Sequence, residues 1–305
     1  MKKLFGLFLL WFVFLAPIPA KAACAGGACF WILGTGTVDG TLDIGHWAIT
    51  TGGGSCACVP AATDNITFDA NSGGGTATVN MAGALWTVGN FTFTNFTGTL
   101  DFATNSNGLT MNGSSGMGGG GAAAKTITMG SATFTISHAT ANWDTSGSGT
   151  TVTAGTSTIA FTATTGAGGR RFLGGGKTYG NVTVAANADN GLFFSGANNN
   201  TFASLTFNAP LTILFSSNQT QTVTTINNVT GASITPVLFQ GDSIINGRAI
   251  VSSANNWSCE WCAFTQMQFQ GGGTFSATNS LDFNNNTGIT ITPPSAGGGI
   301  IGSGI

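Results

Sequence analysis

Apolar and polar residues alternate along most of this chain, which is the pattern of half-buried β-strands. The alternation is clear in Phe134-Thr-Ile136, Val182-Thr-Val184 and Leu205-Thr-Phe207. After residue 22 no segment has the spacing of an amphipathic helix, and glycine-rich segments interrupt the chain repeatedly. The pattern predicts an all-β protein with almost no helix.

A longer pattern repeats along the chain: an apolar residue, two small or polar residues, then an apolar residue, Thr or Gln, and a further apolar residue. It occurs at Val88–Phe93, Tyr179–Val184, Phe202–Phe207 and Phe264–Phe269, and Tyr179 and Phe202 are 23 residues apart. A period in the twenties indicates stacked coils, because one coil buries too little apolar surface to be stable alone. We expect a single β-solenoid, with tandem β-sandwiches as the alternative.

The first 22 residues have the pattern of a cleaved signal peptide. Lys2 and Lys3 precede an apolar run of about a dozen residues, which is too short to span a membrane as a helix, and Ala20 and Ala22 offer a cleavage site. We expect cleavage after Ala22 and export to the extracellular space or the cell surface, with the periplasm as the alternative. The mature chain contains no further candidate for a transmembrane segment.

The remaining sequence divides into three regions. We expect residues 23–62 to form an N-terminal cap with disulfides, residues 63–292 to form the solenoid, and residues 293–305 to be a flexible glycine-rich tail. Open coil ends expose unpaired backbone unless they are capped. The expected partners therefore include further copies of this chain, associated end to end or laterally.

Six cysteines occur as three close pairs: Cys24 with Cys29, Cys56 with Cys58, and Cys259 with Cys262. In an exported protein such pairs indicate disulfides, although six cysteines allow 15 connectivities that sequence does not distinguish. For the last pair, a structural disulfide, a zinc site and a redox pair are all compatible with the spacing. We expect structural disulfides, and no metal or cofactor.

Charge is scarce, at 6 % of residues, and three of the eight basic residues lie in the first 22. Nucleic acid is therefore excluded as the expected partner, because phosphate binding relies on clustered Lys and Arg. The 23 Phe residues argue against disorder, since disordered chains contain few aromatic residues.

The start of the mature chain carries a resemblance to known proteins. Phe30-Trp31 opens a Gly/Thr segment, His46-Trp47 follows, and Val59-Pro60 leads into Asp64-Asn-Ile-Thr-Phe68. This order is similar to openings of autotransporter-like passenger repeats and related bacterial or phage β-helix proteins. The resemblance implies a right-handed parallel β-helix used in adhesion, surface display or glycan contact.

We therefore expect an exported, non-enzymatic β-solenoid that acts as an adhesin-like or surface structural protein. Its expected partner is a cell-surface glycan or another surface polymer. Candidate contacts are the neighbouring cations Arg170 and Arg171, which could touch an anionic glycan, and Trp143 and Trp257, whose rings could lie against a sugar.

Three other functions stay open. A carbohydrate-active β-helix, a polysaccharide hydrolase or lyase, would need carboxylates converging on one face, yet the ten acids are spread along the chain. An ice-binding solenoid would use flat threonine ladders, but the Thr-x-Thr pairs do not keep one period, which favours ordinary strand propensity. A virion fibre component is a further variant of the structural role.

Overall fold

The computed structural model describes residues 23–24, 27–39, 44–81, 85–166, 168–187, 191–196, 199–227, 229–243 and 247–295. Within these residues the protein is all-β, and its strands stack in parallel to form a β-solenoid. The helical structure in the described residues is a 3₁₀ turn at Ala70–Ser72, capped by Asp69. The expectation of an all-β solenoid is confirmed, and parallel stacking excludes tandem sandwiches, which are antiparallel.

Two large sheets run along the solenoid. The strands of the first, which we call the long sheet, are β1 (Ala28–Trp31), β3 (Trp47–Ala48), β4 (Asn65–Thr67), β7 (Phe91–Thr92), β10 (Gly116–Gly118), β13 (Asn142–Asp144), β16 (Arg170–Leu173), β18 (Leu192–Phe194), β20 (Leu211–Phe215), β23 (Val237–Gly241), β26 (Cys262–Thr265) and β29 (Leu281–Asn284). The strands of the second, nine-stranded sheet are β6 (Trp86–Val88), β9 (Leu109–Met111), β12 (Thr133–Ile136), β15 (Thr158–Phe161), β17 (Thr178–Val184), β19 (Thr201–Phe207), β21 (Thr220–Ile226), β24 (Ala249–Ser252) and β27 (Met267–Gln270).

Two shorter sheets complete the coils, one in each half of the chain. The five-stranded sheet contains β2 (Gly36–Val38), β5 (Thr76–Val79), β8 (Thr99–Asp101), β11 (Lys125–Thr128) and β14 (Thr150–Thr153). The four-stranded sheet contains β22 (Val229–Thr230), β25 (Trp257–Glu260), β28 (Phe275–Thr278) and β30 (Thr290–Ile291).

The register between coils follows the repeat seen in the sequence. Tyr179 in β17 pairs with Phe202 in β19, and their rings stack with centroids 5.7 Å apart. Coil length is not constant, however: Trp143 pairs with Phe172, 29 residues on, whereas Phe264 pairs with Asp282, 18 residues on. The strands stay aligned because the turns absorb these differences.

The core is a continuous column of apolar side chains inside the coils. Because side chains alternate between the two faces of a strand, one residue in two points inward. In the long sheet one inward row runs through Cys29, Ile66, Phe91, Met117, Trp143, Phe172, Phe194 and Phe215. All of these are almost completely buried, so each coil packs its side chains on those of the next.

The N-terminal end of the long sheet is covered by its own chain. Strand β1 pairs in parallel with β4, and β3 folds back antiparallel on the other edge of β1. The predicted signal peptide lies outside the described residues, and the predicted tail is described only as far as residue 295. In the described part of the chain, no helix has the length and apolar character needed to cross a membrane.

Candidate functional site

The nine-stranded sheet presents aligned, uncharged side chains to solvent. One outward column, paired residue by residue across β6 to β19, consists of Thr87, Thr110, Thr135, Ala160, Thr183 and Thr206. A second column, two residues earlier on each strand, consists of Thr133, Thr158, Asn181, Ser204 and Thr225. We call these two columns the threonine face. Its residues are exposed or half-buried.

The sequence builds this face through the same alternation that builds the core. Thr135 lies between the buried Phe134 and Ile136, and Thr183 lies between the buried Val182 and Val184. Threonine suits such positions because its branched Cβ packs well on a pleated surface. The inward residues therefore hold the outward hydroxyl groups in fixed rows.

The spacing of the threonine face is set by the sheet. Neighbouring strands lie about 4.8 Å apart, and outward residues on one strand lie about 6.6 Å apart. The hydroxyl groups of Thr110, Thr135 and Thr183 make no hydrogen bond to another described residue, whereas Ser204 Oγ donates to Asn181 Oδ1 at 2.7 Å. The first column therefore keeps hydroxyl groups that are available to a ligand or to water.

The five-stranded sheet carries a second array of the same kind. One column consists of Thr76, Thr99, Thr126 and Thr151, and the other of Thr37, Thr78, Asp101, Thr128 and Thr153. Asp101 is the charged residue in these two columns. Its carboxylate is engaged locally, because Oδ1 accepts hydrogen bonds from the backbone N–H groups of Ala103 and Thr104 at 2.9 and 3.1 Å.

The irregular spacing of the Thr-x-Thr pairs argued against a ladder, and the register corrects that inference. Thr99 and Thr126 are 27 residues apart, and Thr126 and Thr151 are 25 apart, yet each pair is aligned across neighbouring strands. Turns of different length separate strands that remain in register. A period measured along the sequence therefore fails to detect this alignment.

Arg170 lies inside the coils rather than at the surface, where the predicted ligand contact would have to be made. Its side chain is completely buried, where Nη1 donates to the carbonyl of Ala163 at 3.2 Å and Nε to that of Gly191 at 3.3 Å. Burial lowers the pKa of the Arg170 guanidinium. The cause is alternation: Phe172 points into the core, so Arg170, two residues earlier on the same strand, points inward as well.

The two tryptophan candidates are also buried, at 0 % exposure for Trp143 and 3 % for Trp257. Trp143 lies in the inward row of the long sheet, and the Trp257 ring packs with centroids 5.4 Å from Phe239 and 5.6 Å from Phe269. They act as core residues, so neither ring is presented at the surface, where stacking on a sugar would have to occur.

Arg171 is exposed on the outer face of the long sheet, and its guanidinium carbon lies 5.8 Å from the centre of the Phe193 ring. Leu214 follows Phe193 in the same outward column and is half-buried. A role of Arg171 in ligand contact stays a prediction.

A cluster of two lysines and one aspartate lies at the glycine-rich turns and was not predicted. Lys125 is buried, and its Nζ donates to the carbonyls of Gly120 at 3.1 Å and Ala123 at 3.4 Å. Burial lowers the pKa of Lys125, and the nearby carboxylate of Asp144 opposes part of that effect. Burial also lowers the pKa of Lys177. Alternation with the inward Ile127 is the sequence signal that places Lys125 inside.

Several of the described acids accept hydrogen bonds from backbone N–H groups in turns. The carboxylate of Asp144 accepts from the backbone N–H of Ser146 at 2.9 Å, and that of Asp242 accepts from Ser217 at 2.7 Å. Asp64 is buried and accepts from the backbone N–H of Ala61 at 2.8 Å. Along the paired strands, Asp144 lies beside Gly118 and Leu173 rather than beside another acid.

The six cysteines form three disulfides, each within one of the close pairs: Cys24–Cys29, Cys56–Cys58 and Cys259–Cys262. The sequence had left this connectivity open. The first two disulfides lie in the predicted cap, and the third joins β25 to the start of β26. The expectation of disulfides is confirmed.

Together these features define a β-solenoid with hydroxyl-bearing faces. Comparison with known proteins finds no matching family, no matching curated protein and no matching solved structure. The case for a function therefore depends on the geometry of the faces.

Proposed function

We propose that this chain is an exported, non-enzymatic scaffold that attaches to a regular, uncharged extracellular polysaccharide. The observation that carries the proposal is the threonine face, in which neutral side chains line up across successive coils. Because Trp143 and Trp257 are buried, the proposed contacts are made by hydroxyl groups along the sheet and not by these aromatic rings.

A rigid ladder suits a repeating ligand for two reasons. Its side chains are already ordered, so little conformational entropy is lost when they bind. Many weak contacts at a constant spacing also add up to strong attachment when the ligand repeats as well. A neutral polysaccharide surface offers repeated hydroxyl groups and no charge that would need a counter-ion. The carboxylates of Asp101, Asp144 and Asp242 are each engaged by backbone N–H groups, which supports attachment rather than hydrolysis.

Co-sedimentation with microcrystalline cellulose and with chitin particles tests the proposal. The double variant Thr110→Glu/Thr183→Glu places two charges on the threonine face, and we expect its binding to fall by at least about tenfold, because charges desolvated without a partner are costly. The matched control, Thr67→Glu/Ser276→Glu, places the same charges on outward positions of two other sheets and is expected to bind like the unchanged chain.

Two results would contradict the proposal. One is an equal loss of binding in both variants, which would show that binding does not depend on the threonine face. The other is absence of binding to either polysaccharide by the unchanged chain. Circular dichroism of both variants checks that the sheet content is unchanged.

Ice is a second candidate ligand, favoured by the register of the two threonine arrays. A flat array of methyl and hydroxyl groups can hold water in an ordered layer at the spacing of the strands. The measurement is thermal hysteresis, the gap between freezing and melting temperature. If the unchanged chain shows hysteresis that Thr110→Glu/Thr183→Glu abolishes, while cellulose and chitin stay unbound, ice replaces polysaccharide as the ligand.

A further inference from the structure

Four cysteines from separate parts of the N-terminal region meet in one place. Cys24 Sγ is bonded to Cys29 Sγ and lies 3.3 Å from Cys58 Sγ, which is bonded in turn to Cys56. The sulfurs of Cys24, Cys56 and Cys58 all lie within 4.8 Å of one another. Two disulfides are therefore in contact, although Cys24 and Cys58 are 34 residues apart.

A buried carboxylate borders the same cluster. Asp64 is 4 % exposed, and its Oδ2 lies 3.5 Å from Cys29 Sγ. The sulfurs of Cys24 and Cys29 and the Asp64 carboxylate form a second group within 4.8 Å. The two groups share Cys24. Soft sulfur donors and a carboxylate at this spacing are the donor types that zinc accepts in proteins.

Backbone pairing brings these residues together. Ala23 forms a parallel bridge with Val59, and the flanking residues Cys24 and Cys58 therefore lie close to this paired position. In the adjoining strands Cys29 of β1 pairs with Ile66 of β4, two residues beyond Asp64. Backbone pairing, in addition to the disulfides, therefore holds Cys24, Cys29 and Cys58 near one another.

We propose that this cluster, when its two disulfides are reduced, binds one Zn²⁺ ion through the thiolates of Cys24, Cys56 and Cys58, with Cys29 as the fourth ligand. Tetrahedral zinc with Zn–S bonds of about 2.3 Å places its sulfurs about 3.8 Å apart. Cys24 and Cys58, at 3.3 Å, are already near that spacing, and reduction would allow the sulfurs of the two bonded pairs to separate to it. Small side-chain rotations, without movement of strands, would then form the site.

A phosphine can reduce the two disulfides. Each disulfide consumes one tris(2-carboxyethyl)phosphine and one water, and it yields two thiols and one phosphine oxide. Each thiol then releases its proton as its sulfur binds the metal. In an oxidising compartment the same sulfurs hold the cap as disulfides. Bound Zn²⁺ and the two disulfides are therefore alternative cross-links of the same N-terminal region.

Titration of the phosphine-reduced full-length chain with Co²⁺ tests the proposal, because thiolate-bound Co²⁺ absorbs strongly in the near ultraviolet. We expect one equivalent to bind and Zn²⁺ to displace it. Cys58→Ser is expected to remove the signal, and the control Cys259→Ser/Cys262→Ser to keep it. The oxidised chain is expected to give no signal.

Cys29→Ser and Asp64→Asn identify the fourth ligand. We expect Cys29→Ser to weaken Co²⁺ binding and Asp64→Asn to leave it unchanged, with circular dichroism showing that both variants keep their sheet content. The proposal is overturned if the reduced chain gives no thiolate absorption, if the signal survives Cys58→Ser, or if it is lost in Cys259→Ser/Cys262→Ser. Weakening by Asp64→Asn alone would overturn the assignment of Cys29.

Discussion

Phe202 is the residue whose removal most sharply probes the stacking of coils. It is fully buried in β19 and pairs in register with Tyr179 of the preceding coil. Its ring centroid lies 5.3 Å from that of Phe172, 5.7 Å from that of Tyr179 and 5.7 Å from that of Phe194. The Phe202 ring therefore contacts side chains from both large sheets: those of β16 and β18 in the long sheet and that of β17 in the nine-stranded sheet.

Replacement of Phe202 by Ala removes these contacts and leaves a cavity. For a fully buried phenylalanine, the free energy of unfolding falls by about 3–5 kcal/mol. In a solenoid each coil contacts only its neighbours, so the loss should be concentrated near the substitution. We expect hydrogen exchange to accelerate in β17, β19 and β21 and to remain slow in β5 and β8.

Urea unfolding gives the total loss of stability, and hydrogen–deuterium exchange with mass spectrometry locates it. Thr183→Ala is the matched control, because Thr183 points outward from the adjacent strand, and we expect a change within about 0.5 kcal/mol. A loss below about 1 kcal/mol for Phe202→Ala, which is well short of the usual cost of a core cavity, would refute the packing described here. Uniform acceleration of exchange along the chain would refute the nearest-neighbour picture.

Three further substitutions, two of them with a matched control substitution, test individual contacts by urea unfolding. Arg170→Ala leaves buried carbonyls unpaired and should lower the free energy of unfolding by about 3 kcal/mol. Arg171→Ala, at the exposed neighbour, should change it by less than about 0.5 kcal/mol. Equal effects would contradict the opposite orientations of the two side chains. Gly180→Ala places a methyl group against the backbone of the adjoining coil and should be strongly destabilising, while Gly169→Ala meets open space and should be tolerated; the reverse order would show that the coils are not in close contact. Tyr179→Phe removes a buried hydroxyl hydrogen-bonded at 2.5 and 2.6 Å and should cost about 1–3 kcal/mol, so an unchanged stability would rule out those bonds.

The fold was predictable because its two determinants are visible in the sequence. Alternation along each strand identifies the inward residues, and the 23-residue separation of Tyr179 and Phe202 is the register that the structure shows. The variation in coil length was not predictable, because glycine-rich turns accept extra residues without disturbing the strands. For the same reason the Thr-x-Thr pairs could be identified but not aligned.

The burial of Arg170 and Lys125 was not predicted from residue type, although the alternation along their strands indicates it. Arg170 and Lys125 resemble surface residues by type, yet each lies two positions from an inward apolar residue, Phe172 and Ile127 respectively. The position within the strand overrides the preference of the side chain for water, and carbonyl groups at the turns supply hydrogen bonds instead. Contact between the sulfurs of Cys24 and Cys58 depends on coil pairing, which no local pattern reveals.

Disulfide trapping across two coils tests the central claim, the parallel stacking of successive coils, most directly. Thr183 and Thr206 pair on neighbouring strands, so their Cα atoms lie about 4.8 Å apart, within the range for a disulfide. The double variant Thr183→Cys/Thr206→Cys should form that disulfide on oxidation, as identified by peptide mapping. The control Thr135→Cys/Thr183→Cys spans two coils, about 9.6 Å, and should remain unlinked. Failure of the first pair to link, or equal linking of both pairs, would contradict the stacked column.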